Sequence, residues 1–215
     1  MDKIKLLLLI LISFFMKVKS QEKQLMYKVI IDSSNRINKA NHYKDVPNFI
    51  KAIYLPNKKY DIPDQLPVKY YTCKTEQECN SAKYFELTGF IDNSNEFWTH
   101  PPRDNDYLKQ LEFLPFPNIK FNKKKWSWKL EVGDQWADVR WLEWKGAITL
   151  RFLYRLTNTN YPIMIGGKSI ICKEISARMI SSIAKSEAKF YFNNSTLVKA
   201  VYSLLNGDNL EITLE

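Results

Sequence analysis

The sequence predicts a mainly β protein built as an antiparallel meander with one or two short helices, and three observations carry that prediction. Trp126, Trp128, Leu130 and Val132 alternate with Ser127, Lys129 and Glu131, the period of two that a half-buried strand requires. Ile148, Leu150, Phe152, Tyr154 and Leu156 repeat the pattern against Ala147, Thr149, Arg151, Leu153 and Arg155 in a segment rich in β-forming residues, which predicts a long, central strand. Turn signals punctuate the chain at Gly133-Asp134, Lys145-Gly146, Gly166-Gly167 and Asn206-Gly207-Asp208.

The remaining elements follow in order. Leu25 to Ile31, Val68 to Thr72 and Tyr84 to Ile91 read as strands, and Asn93-Ser94-Asn95 as a hairpin loop before a strand from Glu96 to Thr99. Residues 35–66 carry Pro47, Pro56 and Pro63 and many polar side chains; this stretch is expected to wrap the sheet or to hold a short helix from Val46 to Ile53. Residues 104–114 are the best helix candidate, with Asp104 as cap, Leu108, Leu111 and Leu114 at near-helical spacing, and Pro115 as terminator. Val139 to Trp144 reads as extended, as do Lys168 to Ile183, Ala188 to Phe192 and Leu210 to Leu214. Residues 197–205 fit a helical face or a strand entering the last hairpin; the adjacent turn favours strand.

The first twenty residues have the form of an export signal: Lys3 and Lys5, an apolar run from Leu6 to Met16, and the small residue Ser20 before a cleavage point. That run is shorter than the ~20 residues a membrane-crossing helix needs. The expected product is therefore residues 21–215, exported to the periplasm or beyond the cell and free of any transmembrane segment. No cysteine near the cleavage point offers a lipid attachment site. Residues 21–215 read as one β-rich domain, less regular over 21–83 and a meander core over 84–215.

The whole chain has a net charge of +9, which falls to +6 when residues 1–20 are set aside. This speaks to solubility and to loose attraction towards anionic surfaces. Lys123-Lys124-Lys125 is the one basic cluster and reads as a solvated turn. No nucleic-acid motif is recognisable, and none is expected of an exported chain.

Cys73 and Cys79, six apart in a chain bound for an oxidising compartment, are candidates for a local disulfide; their Cα separation decides the matter, and sequence leaves bonded and free states open. Cys172, between Ile171 and Lys173, reads as a small buried side chain. No cysteine or histidine spacing suggests a metal site, and no cofactor motif is present.

Two further groups bear on chemistry. His42 and His100 are the only histidines, and no Gly-x-Ser-x-Gly nucleophile motif accompanies them. His100, before Pro101, Pro102 and Arg103, is the more informative, with a structural hydrogen bond at a strand end as its simplest role. Asp134, Asp138 and Glu143 stand among Trp136, Trp141 and Trp144, a composition that a glycoside hydrolase would use at carboxyl separations of about 5 to 9.5 Å. Turn formation and ion pairing account for these acids with fewer demands, and the chain is read as a non-enzyme.

The stretch Trp98-Thr99-His100-Pro101-Pro102-Arg103, then Leu114-Pro115-Phe116-Pro117, then Trp126-Ser127-Trp128, resembles uncharacterised secreted β-rich proteins of the bacterial envelope. The downstream order over residues 84–215 is distantly similar to periplasmic domains of the lipoprotein-carrier type. That resemblance implies a curved antiparallel sheet or open half-barrel around an apolar pocket, with a lipid-like ligand and no catalytic residue. The candidate ligand-binding residues are Trp126, Trp128, Trp141, Trp144, Phe152, Tyr154, His100 and Arg103. The alternative is a module that binds a glycan or a protein through exposed tryptophans.

Overall fold

The computed structural model describes residues 22–32, 46–105, 107–133, 147–182, 184–205 and 207–215. The expected export signal, His42, the stretch Val139 to Trp144 expected to be extended, and Asp134, Trp136, Asp138, Trp141, Glu143 and Trp144 lie outside them. The described chain forms one antiparallel sheet of twelve strands: β1 (Lys23–Asp32), β2 (Phe49–Tyr54), β3 (Leu66–Cys73), β4 (Glu86–Asp92), β5 (Glu96–Thr99), β6 (Asn118–Lys120), β7 (Lys125–Gly133), β8 (Ala147–Ile165), β9 (Lys168–Ile180), β10 (Lys185–Asn193), β11 (Thr196–Ser203) and β12 (Asn209–Leu214).

The pairing order determines the shape. Chain neighbours pair throughout except at one point, and β1 also pairs with β12, from Tyr27 opposite Leu214 to Asp32 opposite Asn209. The two edges are therefore β6 and β7, which only residues 121–124 separate in the chain. Laid flat, twelve strands would hold their edges about 53 Å apart. The short connection allows no more than about 18 Å. The sheet is accordingly rolled into a nearly closed barrel with a seam between β6 and β7. Backbone bonds pin the connection on both sides, from the Phe121 amide to the Asn95 carbonyl and from the Leu156 amide to the Lys124 carbonyl, each 2.9 Å.

A barrel of this strand number is wider than its own side chains fill, since about eight strands already suffice for a filled interior. Residues 100–117, between β5 and β6, supply the missing volume. They carry a 3₁₀ helix (Leu108–Phe113) in which Leu108 and Leu111 are fully buried, followed by buried Leu114 and Phe116. These four side chains together contribute about 6 to 12 kcal/mol of burial. Leu108, Leu111 and Leu114 share one core cluster with wall residues such as Phe152, Phe190 and Tyr202, and Phe116 meets Phe152.

Several sequence expectations are corrected. Residues 49–54 are a strand inside the sheet, not a helix or a wrapping segment, because Ile50, Ala52 and Tyr54 alternate into the core. The helix expected over 104–114 is a shorter 3₁₀ turn, and Asn105, not Asp104, accepts from its Leu108 amide (2.8 Å). Asp104 instead accepts from the Thr72 hydroxyl at 2.6 Å. The long strand β8 is next to the edge strand β7 and not central. Residues 197–205 are mostly strand β11, as the turn at 206–208 favoured. A helix the pattern did not suggest, α1 (Glu76–Ser81), starts at a capping box in which Thr75 accepts from the Glu78 amide and Glu78 accepts from the Thr75 amide. Cys73 and Cys79 are joined in a disulfide at a Cα separation of 5.4 Å, and Cys172 is free and buried. Among the described residues, no helix is long and apolar enough to cross a membrane.

Candidate functional site

The barrel brings most of the sequence-selected residues to one place. On β7 and β8, Trp126 stands opposite Tyr154 and Trp128 opposite Phe152. Inward-facing cross-strand pairs of this kind stack: Trp126 lies on Tyr154 at 5.4 Å between ring centres and 3° between planes, and Trp128 on Phe152 at 4.3 Å and 29°. Phe116 from the plug meets Trp128, Phe152, Trp98 and His100. The aromatic cluster is thus a joint between wall and plug.

Polar groups lock the same joint. Tyr154 donates to the Phe116 carbonyl at 3.0 Å and accepts from Trp128 Nε1 at 3.2 Å. Burial pushes its phenol well above the ordinary tyrosine range, and it stays a neutral donor. His100 sits on Phe116 with ring centres 4.7 Å apart, and its Nδ1 shares a hydrogen with the Pro101 carbonyl at 2.8 Å. Burial first, then the nearby Arg103 charge, lowers its pKa to about 4. Arg103 is held between two carboxylates, Nε to Glu86 Oε1 and Nη1 to Glu112 Oε1, both 2.9 Å, while its amide donates to Glu86 Oε2 at 2.6 Å. Burial raises the Glu86 pKa, an effect that these Arg103 contacts oppose. Arg103 therefore fastens the plug to β4 through Glu86, and the His100 amide does so through the Gly89 carbonyl at 3.0 Å.

Among the described residues, one internal cavity of about 20 Å³ is bordered by Tyr27, Tyr54, Tyr70, Thr99 and Tyr202. That is room for about one water, far below the ~300 Å³ at which small-molecule sites begin. Trp126, Phe152 and Tyr154 are buried at 8%, 0% and 3% exposure as parts of a filled interior, and Trp128 is half-buried. Trp141 and Trp144 lie outside the described residues.

A larger space lies on the outward face of β7, β8 and β9. This open groove measures about 610 Å³ and is lined by Lys125, Ser127, Leu153, Arg155, Thr157, Ser176 and Arg178, together with Trp126 and Tyr154. The strand registers build it: Lys125 stands opposite Arg155, which stands opposite Ser176, and Ser127 opposite Leu153, which stands opposite Arg178. Lys125, taken from sequence as part of a solvated turn, is the first residue of β7 and a groove wall. These positions are the polar phase of the alternations that identified the strands, and sequence alone assigned that phase to solvent. Among the described residues, no group of three or more histidine, cysteine, aspartate or glutamate side chains is placed to hold a metal ion.

A second exposed feature, also not singled out by sequence, is the pair Tyr84 and Phe85 beside Leu87. Tyr84 is 93% exposed, and Phe85 packs on Tyr71 and under the Lys69 ammonium.

No family model and no curated protein matches this sequence. Among solved structures the chain is similar to the hypothetical lipoprotein YmcC from Escherichia coli, at 11% identity over 93% of this chain and 89% of that one, with a TM-score of 0.44. It is also similar to a protein from Bacteroides fragilis described as exported with a YmcC-like fold, at 10% identity over 89% of this chain and 93% of that one, with a TM-score of 0.39.

Proposed function

We propose that this chain is an exported, non-enzymatic protein of the bacterial envelope that binds a lipid-like ligand in the groove outside β7, β8 and β9. The observation that carries the reading is the contrast in volume: about 610 Å³ in the groove against about 20 Å³ inside the barrel. Of these two spaces, the groove is the one that falls within the usual range for a ligand. Its lining combines an aliphatic side chain, Leu153, with the cations Lys125, Arg155 and Arg178 and the hydroxyls of Ser127, Thr157 and Ser176. This is the chemistry of an amphipathic, anionic molecule.

The test is native mass spectrometry and lipid extraction of the mature chain purified without detergent, beside a Ser176→Trp variant whose indole fills the groove. A co-purifying amphiphile that the variant lacks supports the reading. A bare chain in the spectrum, or an adduct retained by the variant, counts against it.

A further inference from the structure

We infer that the outward face of β7 to β10 docks on a membrane surface rich in anionic phospholipid, an inference that rests on the reading above and gives its ligand a source. The groove is the centre of a larger pattern that appears only when four strands are read across. The first rung runs Lys125, Arg155, Ser176, Lys189; the second Ser127, Leu153, Arg178, Glu187; the third Lys129, Arg151, Ile180, Lys185. Eleven of these twelve side chains are exposed, and Ser176 is half-buried. Seven are cations and one is an acid, Glu187, which pairs with Arg178 at 3.0 Å.

Two features separate this face from an ordinary solvated one. Lys125 directly opposes Arg155 and Lys129 directly opposes Arg151. Like charges at facing positions disfavour the folded sheet, so the arrangement costs stability until an anion lies over both. Strand and residue spacings place all seven cations within about 15 by 14 Å, under two Debye lengths of about 8 Å at physiological salt, so one anionic surface meets them together.

Leu153 and Ile180 stand exposed among these cations, at 36% and 37%. Aliphatic side chains have little to offer an acidic polysaccharide or a nucleic acid, where aromatic stacking adds to charge pairing. At a bilayer they enter the boundary between headgroups and acyl chains while the cations meet phosphates. The groove between the first two rungs then receives one headgroup, which places a lipid-like ligand next to its source.

The test is co-sedimentation of the mature chain with vesicles of phosphatidylcholine alone and of phosphatidylcholine mixed with phosphatidylglycerol. Binding to the anionic vesicles only, weakening with salt, is expected. A Lys125→Glu/Arg155→Glu variant should lose at least about 30-fold in partitioning. A Lys58→Glu/Lys59→Glu variant, with the same change in net charge away from this face, should lose far less. Thermal melts guard against misfolding, and Lys129→Glu, which puts an acid opposite Arg151, should bind less while melting no lower than the parent. Equal losses in the two double variants, no preference for anionic vesicles, or tighter binding to an acidic polysaccharide or to nucleic acid would overturn the inference. Loss of vesicle binding with a co-purifying amphiphile retained defeats the docking surface alone; vesicle binding with no such molecule defeats the ligand reading alone.

Discussion

The hydroxyl of Tyr154, in the middle of β8, donates to the carbonyl of Phe116 in the plug across 3.0 Å. The same oxygen accepts from Trp128 Nε1, so one phenol satisfies a buried carbonyl and a half-buried indole. The Tyr154→Phe variant keeps the ring on Trp126 but leaves both groups without this partner. It should destabilise the protein by about 1 to 3 kcal/mol in urea unfolding. An unchanged midpoint would mean that this phenol contributes nothing to holding the plug.

Phe116 itself joins rings from β5, β7 and β8. Phe116→Ala should therefore cost about 3 to 5 kcal/mol, the usual range for emptying a packed aromatic position. Tryptophan emission should shift to the red as water reaches Trp98 and Trp128. Leu153→Ala in the exposed groove is the control, with an expected change below about 0.5 kcal/mol. Equal effects from the two variants would show that the plug does not carry the interior.

The disulfide from Cys73 to Cys79 encloses the start of α1 and its Thr75 cap. A loop this short gains about 2 kcal/mol from cross-linking in the chain-entropy account. Cys73→Ser/Cys79→Ser should lose about that amount, and Thr75→Ala about 1 kcal/mol by removing the cap. Because α1 contacts only β2 and β3 among the stronger neighbours, both losses should appear first as faster amide exchange there.

The strands were legible because alternation is local: Trp126 to Val132 shows its face without knowledge of any partner. The capping box at Thr75 and Glu78 was equally local and readable, but the helix it starts is only six residues long and shows no apolar period. Leu108, Leu111 and Leu114 carried their true signal in plain view, since a strict spacing of three is the period of a 3₁₀ turn and not of an α-helix. The barrel was not legible in this way. Its closure depends on β1 meeting β12, from opposite ends of the chain. The cation ladder was hidden for the same reason, since Lys125 and Arg155 become neighbours only once the β7–β8 register is known. His100 and Arg103 were selected from the sequence as candidate ligand-binding residues, and the structure places them at the attachment of a plug whose existence the sequence did not disclose.

His100 offers a readout of that attachment in solution. Burial and Arg103 lower its pKa from 6.5 to about 4. Between those values the unfolded chain binds a proton that the folded ring excludes, so unfolding takes up a proton and stability must fall as pH drops. The contribution is fully present above pH 6.5 and is lost progressively as the medium is acidified towards pH 4. For a half-buried ring the loss should be about 1 to 3 kcal/mol over the window. His100→Phe preserves a ring against Phe116 and Trp98 but has no proton to exchange. Urea unfolding at a series of pH values should give a flatter dependence between pH 6.5 and 4 for this variant than for the parent. Parallel curves would show that the ring reaches solvent freely, and the plug would then have to open at the end that Arg103 and its two carboxylates are taken to close.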